Sequence, residues 1–546
     1  MNIPTQVLRQ AARAPELVAV EDDMGALSYR DLVGQALSGA RVLGACGPPG
    51  SPVAVRVPPG RDLIIVALAA MLASRPYLPL DPNEPSRRAL AFLHDTKIST
   101  LVGAAPEGAA VTALPPSALH GHDLADPVTG PVAYVVRTSG STGVPKGVVV
   151  PHGGLTNLVS WHNRTYASGP GIRQLQTANP GFDAAVWEIW PSLCAGGTLV
   201  IAPQGIRLSP VSIVDFARQH AINLLFAPTP IAEMIVDLDQ DDAVACLTLL
   251  TGGDRLRLRR IPRTWQIVNH YGPAEATVVT TWHPVTEPPA KGIPAIGRPI
   301  DGVRIAMRGP DGIPTAPGDT GEIFISGRGL ASGYHGRQAD TDKVFGALSD
   351  LPGRWYRTGD LVSLDAQGDL HFQGRVNDDQ VNIRGVRIEV GEVEAALTRH
   401  PAIREAVVAP VGPIGIFGGL LDQGRCEPCL VGVLMCRARD RKTELVRVRR
   451  HEAVPRVVEE QDVFGGCRGL TQRTGDGSRI VLIHQADAVF RPQAPKLGIA
   501  EQFLYSTDIA GRCRNVLQAS SVGAGADEDH ARSVRVRKPG NHHGRS

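Results

Sequence analysis

Short β-branched runs separated by longer helical stretches dominate the chain from residue 1 to about 370. The runs Val53–Val57, Val132–Val136, Gly197–Ile201, Ile222–Phe226, Leu247–Leu250 and Trp265–Val268 alternate with stretches such as Leu63–Ala73 and Pro210–His220. That spacing predicts α/β layers around largely parallel sheets. Between about 293 and 372 the strands are divided by turn signals at Asp301-Gly302, Pro310-Asp311-Gly312, Pro317-Gly318-Asp319 and Gln367-Gly368-Asp369. These predict a more β-rich, antiparallel subdomain. At 546 residues the chain is long enough for several domain-sized units with large cores.

Charge divides the chain near residue 412. Residues 412–546 hold 21 Lys+Arg, 18 of them Arg, against 15 Asp+Glu, whereas residues 1–411 hold 35 against 39. The overall sum of +2 argues against a strongly basic nucleic-acid binder. The longest apolar run, Leu63–Ala73, has 11 residues, short of the roughly 20 that a membrane-spanning helix needs. The N-terminus lacks a basic segment followed by an apolar one, so it does not read as a secretory signal. A cytoplasmic protein with neither membrane nor nucleic-acid partners is expected. Cys46, Cys194 and Cys246 are too sparse for a disulfide scaffold.

The sharpest local signal is Tyr134-Val-Val-Arg-Thr138-Ser-Gly-Ser-Thr-Gly143-Val-Pro-Lys146-Gly147, a strand running into a loop of glycines and hydroxyls that ends in a lysine. Such a loop can aim backbone N–H groups, hydroxyls and one cation at phosphate oxygens. It is not a P-loop, because Pro145 and Gly147 stand where that motif requires Gly and Ser/Thr.

With this loop, the ordered motifs resemble those of the adenylate-forming superfamily, specifically the amino-acid adenylation domains of nonribosomal peptide synthetases. They are Leu27-Ser-Tyr-Arg-Asp-Leu32, Tyr77-Leu-Pro-Leu-Asp-Pro82, Phe182-Asp-Ala-Ala-Val-Trp187-Glu, Asn269-His-Tyr-Gly-Pro-Ala-Glu275, Gly321 to Tyr334, Tyr356-Arg-Thr-Gly-Asp360-Leu and Gly374-Arg375 leading to Ile383–Glu394. The resemblance covers about 20–411. It implies large N-terminal α/β subdomains, a β-rich subdomain and a small C-terminal α+β subdomain that is incomplete here. The expected divisions are 1–375 for the large AMP-binding part, 376–411 for the hinge and start of the small part, and 412–546 for an aberrant Arg- and Cys-richer tail, disorder being one state open to it.

The resemblance implies ATP and Mg²⁺ as cofactors, an amino acid as small-molecule substrate and a phosphopantetheine-bearing carrier protein supplied in trans. The amino-acid carboxylate would attack the α-phosphorus of ATP and expel pyrophosphate, and a thiol would then attack the acyl-adenylate. Lys146 and Thr138, with Ser139, Gly140, Ser141, Thr142 and Gly143, are implied around the phosphates. Glu275 is implied as the Mg²⁺ carboxylate, since Mg²⁺ commonly takes one or two carboxylates plus phosphate oxygens. Asp360 would accept from both ribose hydroxyls, Tyr271 would offer its ring and Asn269 its amide to adenine, and Phe372 and Arg375 would complete the nucleotide side.

For the amino acid, Asp183 is implied to pair with the α-ammonium; read without the motif, it is equally a helix N-cap. Trp187 lies four residues on, on the same helical face. Carrying the family's pocket positions onto this chain gives Asp183, Ala184, Trp187, Phe226, Leu250, Gly252, His270, Val278 and Val279. The set resembles a leucine-type pocket. His270 departs from the asparagine usual there, and Ala227-Pro228-Thr229-Pro230 allows the Phe226 assignment to shift by one. A hydrophobic pocket separates aliphatic side chains only weakly.

The pattern then breaks. Gly374-Arg-Val-Asn-Asp-Asp-Gln380 carries one residue more than the family's hinge, so its aspartate is Asp378 or Asp379, and Asn382 replaces a common lysine. Beyond Pro410 the family's terminal Pro-x-x-Pro-Asn-Gly-Lys-like loop does not appear; the lysines there are Lys442, Lys496 and Lys538. Arg clusters and scattered Cys suggest a frame-shifted or fused segment. Cys426, Cys429, Cys436 and Cys467 as a zinc site, and a basic nucleic-acid tail, are the competing readings. The expected function is amino-acid adenylation, impaired by loss of the lysine loop. The alternatives are a carboxylate–CoA ligase and a catalytically dead nucleotide-binding remnant.

Overall fold

The computed structural model describes residues 1–119, 121, 126–138, 145–238, 247–287, 289, 292–316 and 318–376. Beyond these it describes the backbone of 380–383, 386–390, 393, 403–411, 430–438, 459–464, 467–473 and 479–483. The chain divides into two compact units, Met1–Glu392 with Gly412–Leu430, and Val393–Val411 with Val431–Ser546. In the second unit, Glu459–Phe464, Cys467–Arg473 and Arg479–Ile483 form a three-stranded antiparallel sheet.

The first unit contains the predicted α/β layers. Every β-branched run falls within or overlaps a strand, and the two helical stretches become Arg61–Leu72 and Pro210–Gln219. One sheet has seven strands in the spatial order Gly333–Tyr334, Lys146–Pro151, Val132–Thr138, Tyr77–Pro79, Val53–Arg56, Thr100–Gly103 and Thr112–Leu114. Its last five are mutually parallel. A second sheet has nine strands, with a parallel centre of Gln266–Tyr271, Thr248–Gly252, Leu224–Pro228, Arg173–Gln176, Thr198–Ile201 and Val18–Asp22. The expected β-rich part is an antiparallel sheet of Val303–Arg308, Thr320–Gly327, Leu351–Leu364, Phe345–Leu348 and Leu370–Arg375.

Burial explains the local choices. All ten residues from Leu63 to Leu72 are buried, which is why that run is apolar around its whole circumference. Gly39 of the neighbouring helix Tyr29–Ala45 sits so close that a Cβ there would lie 3.0 Å from the Ala69 methyl. Among the described residues no helix is long and apolar enough to cross a membrane.

The nine-stranded sheet has a core on each face, and strand alternation decides which residue joins which. Leu225, Leu249 and Ile267 are in register and pack with the helices Pro210–Gln219 and Thr229–Asp237. One residue on, Phe226, Leu250 and Val268 are in register and point to the opposite core, which includes Trp187 of the helix Asp183–Ala195. That helix ends at Gly196, whose φ of 85° is the left-handed conformation glycine adopts at little cost.

Glu188 anchors the same helix to the end of Arg173–Gln176. Its fully buried carboxylate accepts from the Thr177 and Ala178 amides at 3.0 Å each and from the Thr177 hydroxyl at 3.1 Å. Burial pushes it up to about 7, against the downward pull of those donors and of Arg207. The folded chain therefore holds this proton more tightly than the unfolded one, and stability falls as pH rises from the ordinary carboxyl value through about 7. Thermal midpoints of wild type and Glu188→Gln measured from pH 4 to 8 test this: the wild-type slope over that window should flatten in the variant, and parallel slopes would contradict it.

Candidate active site

The hairpin that carries the phosphate-loop motif is built from Val132–Thr138 and Lys146–Pro151, with Thr138 directly opposite Lys146. The intervening residues Ser139, Gly140, Ser141, Thr142 and Gly143 lie outside the described residues. The Lys146 ammonium stands 5.0 Å from the ring centroid of Tyr334. Tyr334 belongs to the strand added to the hairpin's other side, and its hydroxyl donates to Glu275 at 2.8 Å. Lys146 and Glu275, 129 positions apart in sequence, thus share one phenol. Glu275 is 1% exposed, on the short turn Ala274–Ala276.

The strand Gln266–Tyr271 brings in the next group. The Asn269 side-chain N–H donates to the Ala295 carbonyl at 2.8 Å. That bond fixes which way the amide points, and leaves the buried Oδ1 without a partner. The Tyr271 hydroxyl donates to Asp360 at 2.6 Å, and burial together with that carboxylate pushes the phenol well above its ordinary value. Asp360 follows Gly359, whose φ is 74°, and sits in register with Arg375. The Arg375 guanidinium donates to the other Asp360 oxygen at 2.5 Å and to the Thr358 carbonyl at 3.2 Å. Phe372 lies under the Arg255 guanidinium, 5.4 Å from its ring centroid.

The substrate-side residues gather in the core above Phe226 and Leu250. The N-cap of the pocket helix is Phe182, not Asp183. Asp183 occupies the first helical position, where the macrodipole favours a carboxylate. Burial, then the Asp183 charge, push the nearby Tyr134 phenol well up. Ala184 packs half-buried on the core. The Trp187 ring lies 5.6 Å from Phe226 and 4.7 Å from His270, centroid to centroid. Phe226 and Trp187 thus meet edge to face in the core.

Gly252 is in register with His270, and a Cβ there would lie 2.7 Å from the His270 carbonyl oxygen. Only hydrogen fits at that point. Thr277 and Val278 have φ of 56° and 68°, a conformation that is costly for β-branched residues. Gly272 accommodates this turn, since a Cβ on it would lie 2.3 Å from the Val278 carbonyl oxygen. Val279, 1% exposed, completes the expected set.

Several site residues escaped the sequence reading. Tyr334 stood within a quoted motif, yet its bond to Glu275 joins elements far apart in sequence. His162 and Tyr166 come from the helix His152–Thr165 and its C-cap, and carry no motif. The Trp187 indole N–H donates to His162 Nδ1 at 2.9 Å, and the Tyr166 hydroxyl lies 2.7 Å from His270 Nε2. Among the described residues no three His, Cys, Asp or Glu side chains form a metal cluster. The four tail cysteines weighed as zinc ligands and the hinge aspartates Asp378 and Asp379 have no described side chains.

A family model described as AMP-binding enzyme matches residues 7–335. Bacitracin synthase 1 of Bacillus licheniformis is 38% identical over 412 residues, which is 73% of this chain and 8% of that protein. Syringomycin synthase SyrB1 of Pseudomonas syringae pv. syringae is 34% identical over 430 residues, covering 73% of this chain and 69% of that protein. Among solved structures, the artificially fused adenylation–PCP di-domain NpsA-ThdA from Klebsiella oxytoca has a TM-score of 0.68 at 25% identity, covering 75% of this chain and 85% of the other. A holo nonribosomal peptide synthetase protein with adenylation and PCP domains, bound to a vinylsulfonamide inhibitor, has a TM-score of 0.66 at 30% identity, covering 75% and 74%. The chain spans under a tenth of bacitracin synthase 1. With the ordered motifs, the sheets of the first unit and these relatives in agreement, the chain belongs to the AMP-binding enzyme family, among the adenylation domains of nonribosomal peptide synthetases.

Proposed function

We propose that this chain uses ATP to activate an amino acid, with leucine or a similar aliphatic one favoured, as an aminoacyl-adenylate for transfer to a carrier-bound phosphopantetheine thiol. The observation that carries this reading is the end of the strand Gln266–Tyr271. Alternation sends His270 toward Trp187, while Asn269 and Tyr271 fall on the opposite parity with their polar groups at Ala295 and Asp360. One strand end thus serves both ligands. The orphaned Asn269 oxygen suits an N–H donor such as the adenine amine. A carboxylate offers about four acceptor sites, so Asp360 has chemistry suited to ribose hydroxyls while holding Tyr271 and Arg375.

In the first half-reaction a carboxylate oxygen of the amino acid bonds to the α-phosphorus and the bond to pyrophosphate breaks. In the second, a thiolate attacks the acyl carbon and AMP leaves. Positioning and electrostatic stabilisation carry most of this chemistry. Thr138, Lys146 and the loop between them hold the β- and γ-phosphates. Glu275, with phosphate oxygens, suits Mg²⁺, which would neutralise phosphate charge. Asp183 pairs with the α-ammonium and disfavours an unaminated acid. Residues 1–375 supply these groups, 376–411 begin the small subdomain, and 412–546 are an aberrant segment. No lysine of that segment stands in a Pro-x-x-Pro-Asn-Gly-Lys-like context, which supports weak adenylation and poor thioester formation. The same observation favours a second reading, a nucleotide-binding remnant without turnover.

Pyrophosphate exchange across a panel of acids separates the readings. Leucine-dependent exchange is expected; exchange with plain fatty or aryl acids instead would indicate a carboxylate–CoA ligase, and ATP binding without any exchange the remnant. Asp360→Asn should raise the KM for ATP by roughly 10- to 100-fold, the size expected for a charged hydrogen bond, and leave the KM for the amino acid close to that of wild type. Equal changes in both would place Asp360 outside the ribose site.

A further inference from the structure

The two pocket rings that carry nitrogen, His270 and Trp187, are both held from behind by one helix. His162 and Tyr166 are four positions apart, on one face of the helix His152–Thr165 and its C-cap. The Tyr166 backbone N–H is itself tied to the His162 carbonyl at 2.9 Å. His162 Nδ1 takes the indole N–H of Trp187, and Tyr166 reaches His270 Nε2.

The tautomer of His270 follows from its other partner. Its Nδ1 lies 3.0 Å from the Thr251 carbonyl oxygen, which can only accept, so Nδ1 carries the proton. The ring is neutral, because burial pushes its pKa down to about 3. Nε2 is then an acceptor, and Tyr166 is its donor. Both nitrogens of His270 and the single N–H of Trp187 are thus consumed inside the protein. The ring faces and carbon edges remain for a substrate, beside Phe226, Leu250, Val278 and Val279.

We propose that Tyr166 is a specificity-positioning residue: by donating to His270 Nε2 it turns a polar ring into a neutral aromatic wall, and so restricts the pocket to aliphatic amino acids. This deepens the amino-acid activation reading and rests on it. A substrate bearing a hydroxyl or amide would find no free nitrogen on His270 or Trp187, and polar atoms placed against those rings would lose water without compensation. Removing the phenol hydroxyl weakens the preference, since the ring is then free to turn its unpaired Nε2 toward a donor-bearing side chain.

The test uses binding, which does not depend on turnover. Dissociation constants are measured for the leucyl and threonyl forms of sulfamoyl adenosine, non-hydrolysable analogues of the adenylate, with AMP as the reference for the nucleotide half. Wild type should prefer the leucyl analogue. Tyr166→Phe should shift the leucyl-to-threonyl ratio by roughly ten-fold or more toward threonyl, with AMP affinity unchanged. In a His270→Leu background, adding Tyr166→Phe should leave the ratio within about two-fold, because Tyr166 acts only through His270. A tyrosine that merely supported the fold would weaken both analogues alike in either background, which overturns the proposal.

A second measurement needs no Tyr166 variant. Imidazole ¹⁵N shifts of the wild type, assigned through His270→Leu, should show a protonated Nδ1 and an unprotonated Nε2, and the opposite tautomer overturns the proposal. If wild type prefers the leucyl analogue but Tyr166→Phe keeps the ratio, the Tyr166 inference alone falls. If wild type binds neither analogue better than AMP, the amino-acid activation reading falls with it.

Discussion

A single carboxylate joins two of the sheets. Asp360, from the antiparallel β-rich sheet, accepts from Tyr271 of the nine-stranded sheet and from Arg375 on its own neighbouring strand. Burying an unpaired carboxylate is costly, so an Asp360 that is 7% exposed depends on both partners being in place. The dependence runs outward through the backbone. The Thr358 hydroxyl receives the Asp360 amide at 2.9 Å and donates to the Ile323 carbonyl at 2.8 Å, while Arg375 reaches the Thr358 carbonyl. Gly359 lets the chain turn between them: besides its positive φ, a Cβ there would stand 3.0 Å from the Arg375 guanidinium. The β-rich sheet thereby presents its charged corner at a fixed place beside Tyr271.

The same reasoning explains where strain is tolerated. Thr277 and Val278 adopt left-handed φ one residue beyond Glu275, after Ala276, and immediately before Val279. Sterically such residues belong elsewhere in the backbone map, and they persist only where surrounding contacts over-determine them. Those contacts are present. The Thr277 hydroxyl donates to the Gly329 carbonyl at 2.6 Å, and the Thr280 amide returns to the Tyr271 carbonyl at 2.8 Å. Gly272 leaves the Val278 carbonyl its space. The turn places Glu275 toward Tyr334 and Val278 and Val279 at the core side, within five positions of one another.

Much of this was legible in the sequence because the code there is local. Alternating β-branched runs and helical stretches are short-range patterns, and all of the runs became or overlapped strands. Asn269, Tyr271 and Glu275 likewise occupy a strand end and the turn after it, since backbone positions such as Gly272 leave a mark in the sequence. What was not legible depends on contacts between distant elements. The bond of Tyr334 to Glu275 spans 59 positions, and that of Tyr166 to His270 spans 104. No periodicity encodes such pairs. Asp183 shows a different limit: an aspartate before a helical pattern reads as an N-cap, yet Phe182 takes that place and the carboxylate enters the first turn.

The base of the phosphate-loop hairpin rests on a pairing of this distant kind. Arg137, the residue before Thr138, meets the Glu84 carboxylate at 2.5 Å, with the two side chains 10% and 0% exposed. Glu84 is held by its backbone too, its carbonyl accepting from Arg56 at 2.9 Å. Water contributes little screening at such depth, so losing one partner of a buried pair costs about 3–5 kcal/mol, chiefly from the charge left behind. Across the ladder from Arg137 stands Gly147, where a Cβ would lie 2.9 Å from a Val135 methyl. The strand bearing Lys146 can therefore approach closely, and Thr138 faces Lys146 directly. The ladder pair Thr138–Lys146 and the buried ion pair beside it thus fix the two strands of the hairpin against each other.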